Sequence, residues 1–185
     1  MSQAWAAGAS AVIVTVTAGL LAYLNSARLN RQQARLNRLA AQLGELYGPM
    51  LATLESNRRA YETFVAHYAP GRSSFFAEGV RHSEAELAAW RSWVETVFQP
   101  GNRRIHELVV TKAHLLVDDR MPDRLLDFCA HTVGYDVVLS RWKDDDFTRH
   151  TSLIPHPKGI EDYVRQSFVS LKQEQAELLR KRARR

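Results

Sequence analysis

The feature that most constrains this chain is a run of 21 residues, Ala4 to Leu24 (AWAAGASAVIVTVTAGLLAYL), without a charged side chain. At about 1.5 Å of rise per residue, a helix of that length spans roughly 30 Å, the thickness of a bilayer's hydrocarbon core. Trp5 and Tyr23 stand near its ends, where amphipathic rings favour the membrane interface. A buried core helix and a cleaved signal peptide compete with this reading. A signal peptide carries positive side chains ahead of its apolar stretch, and none is present here. A core helix with no polar face needs a large protein around it, whereas 185 residues amount to one domain of ordinary size. The expectation is a retained transmembrane helix over residues 4–24.

Charge gives the orientation. No Lys or Arg precedes the run, and Arg28, Arg31, Arg35 and Arg38 follow it with no acid before Glu45. Positive flanks stay on the cytoplasmic side. Residues 1–3 are therefore expected outside and everything from Asn25 onward inside, as a single-pass protein of the plasma (inner) membrane. The lone cysteine, Cys129, agrees with a reducing compartment and excludes an intrachain disulfide framework. Within the run, Ala7, Ala11, Thr15 and Gly19 recur every four residues, a spacing that lets two helix backbones approach.

The net charge of +5 is unevenly spread: residues 1–60 carry +4, residues 61–170 carry −3 and residues 171–185 carry +4. A nucleic-acid-binding body should show basic charge on the fold itself, so that class is disfavoured. Basic residues at the membrane exit and in the tail Arg180, Lys181, Arg182, Arg184 and Arg185 fit an anionic lipid surface, where each contributes about 1 kcal/mol. A solvated tail is the competing reading.

Next comes a direct repeat, ARLNRQQ at 27–33 and ARLNRLA at 34–40. Leu29, Leu36, Leu43 and Met50 are seven apart, and Leu39 and Leu46 fill the second seam position. This is a short coiled-coil pattern over residues 25–47, able to zip two copies together or to pack on the chain's own bundle. Gly48-Pro49 predicts a kink or restart, followed by a helix to Tyr68. Residues 70–82 read as a loop with Phe75-Phe76 tucked inward. Ser83 and Glu86 form a capping box for a helix expected to end at Pro100-Gly101, with Asn102 capping the next. A helix over about 122–143 is apolar over much of its surface and is expected at the bundle centre. Residues 144–157 form a loop, and a last helix starts near Lys158. No strand alternation is present. The fold class expected is all-α: the transmembrane helix, the membrane-proximal coiled-coil-like helix, a cytoplasmic antiparallel helical bundle over 48–179, and a basic tail over 180–185.

Three segments carry a resemblance: LYGPM at 46–50, LLDFCAHTVGYDVVLSRW at 125–142 and DFTRHTSLIPHP at 146–157. They are similar to a group of uncharacterised bacterial membrane-anchored helical proteins. The resemblance implies the same layout and brings no activity, cofactor or catalytic residue.

No HExxH, GxGxxG, P-loop, GxSxG or helical Glu-x-x-His motif occurs. Asp127 and His131 share a helix face and are read as a hydrogen-bonded pair rather than metal ligands. Cys129 faces elsewhere and reads as a small buried apolar residue. Asp144, Asp145 and Asp146 lack the alternation and glycine of a calcium loop and read as a solvated helix end. His150 and His156 could form a ligand-facing or pH-sensitive lip. Two functions remain open. The first is a membrane-anchored interaction or scaffold protein, self-associating and recruiting a protein partner, with no catalytic role, cofactor or metal. The second is a ligand- or metal-dependent sensor or enzyme with a site at Asp127, His131, Tyr135 and His150. A polar cavity joining those side chains separates them.

Overall fold

The computed structural model describes the backbone of residues 2–184 and the side chains of residues 22–184. The small-residue stripe at Ala7, Ala11, Thr15 and Gly19, with all of the expected span but its last three residues, lies outside the described side chains. Among the residues whose side chains are described, no helix is long and apolar enough to cross a membrane. The described chain is all-helical, with no strand.

Two prolines shape the longest helices without ending them. Helix α1 (Ser2–Ala41) passes through a π-helical turn (Gln42–Tyr47) directly into α2 (Gly48–Tyr68). Proline supplies no N–H and crowds the carbonyl four residues back. The wide turn absorbs the misfit: the Gly48 N–H reaches back to the Leu43 carbonyl, one residue further than in an α-helix. A Cβ on Gly48 would collide with that carbonyl, so glycine before proline permits the turn. The expected kink is thus a local widening. The same device corrects the expected break at Pro100-Gly101. Helix α3 (Glu84–Trp93) runs through a second π-turn (Val94–Phe98) into α4 (Gln99–Thr111), the Gln99 N–H bonding the Val94 carbonyl. Asn102 therefore lies inside a helix rather than capping one. The capping box at Ser83 and Glu86 forms as expected, with both reciprocal bonds present. Helix α5 spans Asp123–Lys143. Helix α6 (Ile160–Ala183) follows Gly159, whose φ of 76° is the left-handed conformation that favours glycine.

Two packed clusters hold the body together. The first joins the α1–α2 junction (Leu39, Leu46, Tyr47, Met50) to Ile105, Leu125, Phe128, Val164 and Leu171. The second is aromatic, with Phe64, Phe75, Trp90 and Trp142 packed around Tyr135 and Val138. Phe75 is fully buried, as its loop position suggested. The first cluster consumes the heptad seam. Leu39, Leu43 and Leu46 are buried in the chain's own body, so they are not free to zip two copies; Leu36 is half-buried and Leu29 exposed. The partner of α1 is α6, which runs antiparallel to it. Arg35 makes a two-pronged pair with Glu174 at 2.7 and 2.6 Å, and Arg182 reaches Gln33 at 3.2 Å, while Tyr47 meets Tyr163 at the other end.

Helix α5 is not central. One face is buried through Leu125, Phe128, Thr132, Tyr135 and Trp142, whereas Leu126, Val133 and Val137 on the opposite face are 51%, 51% and 60% exposed. Its all-round apolarity serves one packed face and one open face.

Candidate functional site

Where the two clusters meet, the body holds a half-enclosed cavity of about 560 Å³. Each wall follows from helical spacing. Leu54, Asn57, Arg58 and Tyr61 recur at i, i+3, i+4 and i+7 on one face of α2. His131 and Tyr135 project one turn apart from α5, Phe98 ends the second π-turn, and Gln99 and Asn102 come from the start of α4. Trp90 and Phe76 complete an aromatic wall, with ring centroids 5.2 Å apart and Trp90 5.7 Å from Phe98. The loop between α5 and α6 closes the space with Thr151, Ser152, Ile154, Pro155 and His156.

The loop is tied down at several points. The Trp90 Nε1–H donates to the His150 carbonyl and the Trp142 Nε1–H to the Arg149 carbonyl, each at 2.8 Å. The Asp146 carboxylate accepts from the Thr148 hydroxyl and amide and then from Arg141, and these bonds together lower its pKa to about 2. This local turn, rather than a calcium site, is what the three aspartates build. Ser152 packs against Gly134 so closely that a Cβ there would collide with its hydroxyl.

The polar groups facing the cavity are mostly uncharged. Gln99 is 1% exposed; its Nε2 donates to the Thr132 carbonyl at 2.8 Å and the Asp136 carboxylate at 2.7 Å, and its Oε1 has no partner. Asn57 donates to Asn102 Oδ1 at 3.2 Å and to the Phe98 carbonyl at 3.3 Å. It reaches α4 over Gly101, where a Cβ would come within 2.6 Å of its amide. The His131 Nδ1–H donates to the Ile154 carbonyl at 2.6 Å, which leaves Nε2 as an acceptor. Burial pushes His131 below its ordinary pKa, and desolvation with the neighbouring His131 lowers His156 to about 4. Burial also raises the Tyr135 hydroxyl well above the usual tyrosine range. Both rings are therefore neutral imidazoles near pH 7. At the mouth, Arg58 is shared among Glu55 (3.0 Å), Glu62 (2.5 Å) and Glu161 (3.5 Å).

Of the four residues expected at a ligand site, His131 and Tyr135 line the cavity. Asp127 does not: it is exposed, and His131 bonds Ile154 in its place. His150 stands behind the wall, its carbonyl on Trp90 and its ring 6.4 Å from Phe76. The residue that joins His131 is His156, at 5.2 Å between rings. Gln99, Asn57 and Asn102 were missed. The signal was present in Asn57, a polar residue on the apolar face between Leu54 and Tyr61. Cys129 is half-buried and its thiol is raised by burial, which disfavours the nucleophilic thiolate. Among the described residues, no group of three His, Cys, Asp or Glu could hold a metal ion.

The cavity is too large to be a dry packing defect. It opens to solvent on one side, so it holds water or a ligand rather than a void. Its lining is mostly apolar with a few polar groups, a combination suited to a small ligand. Comparison with known proteins found no matching family model, no similar curated protein and no similar solved structure.

Proposed function

We propose that this chain is a membrane-anchored ligand sensor: a helical head that binds a small molecule in its interior cavity, carried on a rod from the inner leaflet. The observation that carries the reading is the cavity itself. Its volume lies in the range of small-molecule sites, and it combines an apolar aromatic wall with a few convergent polar groups. Helix α2 lines the cavity and continues through the π-turn into α1, so a change at the head has a stiff path toward the anchor. The group of membrane-anchored helical proteins that the sequence resembles fits this layout.

The anchor and its orientation belong to the proposal. The antiparallel pairing of α1 with α6 supports it, because Arg182 beside Gln33 brings the basic end of α6 to the end of the stalk nearest the apolar run. Arg28, Arg31, Arg180 and Lys181 then form one collar facing an anionic leaflet. Arg35 is drawn away from lipid into its pair with Glu174. In a Cys129→Ser background, a membrane-impermeant maleimide should label Ser2→Cys on intact cells and Arg184→Cys only after permeabilisation. The reverse pattern overturns the orientation.

The cavity function is tested by equilibrating the full-length protein in detergent with a small-molecule extract and analysing the bound fraction by native mass spectrometry. A specific adduct, absent from Thr151→Trp where an indole fills the space from the loop, is expected. Equal retention by both proteins contradicts it.

A second reading, self-association on the way to a scaffold, is favoured by the open face of α5. Leu126, Ala130, Val133 and Val137 follow heptad spacing. Two copies of α5 placed antiparallel would set Leu126 against the partner's Val137 and Asp123 against the partner's Arg141, twice by symmetry. A disulfide between copies of Ala130→Cys or Val133→Cys in a Cys129→Ser background supports this pairing; crosslinking no faster than at an exposed control position overturns it.

A further inference from the structure

Resting on the reading of the cavity as a ligand site, we infer that its ligand is an uncharged, planar heteroaromatic molecule with N–H or O–H donors along one edge. Size sets the first limit. Filled at the packing density of a protein interior, 560 Å³ holds about 20 non-hydrogen atoms, the size of a two- or three-ring compound rather than a lipid or a peptide. Shape sets the second. Tyr61, Trp90 and Phe98 stand with centroids 5.7–6.3 Å apart, and Phe76 adds an edge-on ring. Such a wall favours a flat π-system that can stack or meet ring edges.

Hydrogen bonding sets the third. Both N–H groups of Gln99 are committed to Thr132 and Asp136, so the amide cannot turn, and its Oε1 remains a buried acceptor without a partner. His131 is fixed in the same sense: Nδ1 carries the proton given to Ile154, leaving Nε2 to accept. The His131 Nε2 acceptor calls for a donor on the ligand, and a small shift of the Gln99 side chain, whose unpartnered Oε1 is closed off in this structure, would add a second acceptor along the same edge. Leaving such a group unpaired costs about 1–3 kcal/mol.

Charge sets the fourth. Inside the cavity no side chain carries an uncompensated charge. Among the described residues the one cation lining the mouth, Arg58, already meets Glu55, Glu62 and Glu161. A phosphate or carboxylate would find no free partner and three acids nearby. A cation would meet Glu161 as the lining carboxylate, and that group already faces Arg58 at 3.5 Å.

The test is equilibrium dialysis of the full-length protein in detergent against single probes. Lumichrome and adenine represent the neutral donor-bearing class, naphthalene the flat class without donors, adenosine monophosphate and flavin mononucleotide the anions, and benzamidine the cation. Expected is 1:1 binding of lumichrome or adenine, at least tenfold tighter than each of the other probes. Gln99→Met should weaken that binding at least tenfold and leave naphthalene within about threefold. Thr151→Trp should abolish all of it. Equal or tighter binding of a charged probe or of naphthalene overturns the ligand class while sustaining the cavity as a site. No binding of any probe by protein whose circular dichroism is that of a folded helical chain overturns both.

Discussion

Replacing Phe64 with alanine probes the physical basis of the site, because this residue holds the aromatic wall in place. Phe64 is fully buried, with ring centroids 4.7 Å from Tyr68, 4.9 Å from Phe75 and 5.5 Å from both Trp90 and Trp93. Truncation to a methyl group removes those contacts and leaves a void that rigid neighbouring rings cannot easily fill. Such changes cost about 3–5 kcal/mol. Against a total of about 5–15 kcal/mol the loss is severe. For a chain of this size it lowers Tm by roughly 6–20 °C, at about 2–4 °C per kcal/mol. Phe64→Leu keeps most of the volume and should lose less than half as much. Urea unfolding of the full-length protein in detergent, followed by tryptophan fluorescence and by circular dichroism, reads both. The midpoint should fall with the slope unchanged. The Phe64→Ala variant should also lose ligand binding before it unfolds, since Trp90 and Phe98 line the cavity. A loss below about 1 kcal/mol for Phe64→Ala would show that these rings are not packed as described.

Three further outcomes follow from the same contacts. Gly134→Leu should push the Ser152 segment off α5 and speed backbone hydrogen exchange over residues 150–156, with the exchange of α2 unchanged. His131 and His156 both titrate below the ordinary histidine value in the folded chain, His156 at about 4. The unfolded chain therefore takes up more protons once pH falls below about 6.5. Their stabilising contribution is complete above that pH and declines between about 6.5 and 4. Urea midpoints at pH 7.5 and 5 should differ less in His131→Gln and His156→Gln than in the wild type. Tyr163→Phe removes the hydroxyl that donates to Asp118 at 2.6 Å and meets Tyr47 at 3.1 Å. It should cost about 0.5–1.5 kcal/mol, since the Asp118 bond lies at the surface, in the same unfolding assay.

The helical fold was legible because its signals are local. Period-3.6 apolar faces gave α2 and α5, and the capping box at Ser83 gave the start of α3 to the residue. The π-turns were not legible. Pro49 and Pro100 were read as breaks, since proline removes a donor, but a wide turn on the preceding residues removes the need for that donor. The heptads of 25–47 were read as a seam between copies or a packing face on the bundle. Sequence periodicity reports that leucines are buried, not against which chain, and here α6 takes that place for Leu39, Leu43 and Leu46. For α5, apolarity on every side suggested a central position, yet composition cannot tell a buried face from an open one. Of the four residues named for a ligand site, His131 and Tyr135 line the cavity, whereas Asp127 and His150 lie outside its lining. The true neighbours Gln99, Asn57 and His156 come from three other segments, and their convergence is a tertiary fact.

The central claim is that the body holds a built, occupied cavity rather than a loosely packed junction. An experimental density map of the full-length protein, purified without stripping its bound small molecules, tests this most directly. The account predicts an open space bounded by Trp90, Phe98, Gln99 and His131, containing planar density that contacts His131 Nε2. A collapsed junction, with Trp90 or Phe98 turned into that space and Gln99 Oε1 bonded within the protein, would contradict it.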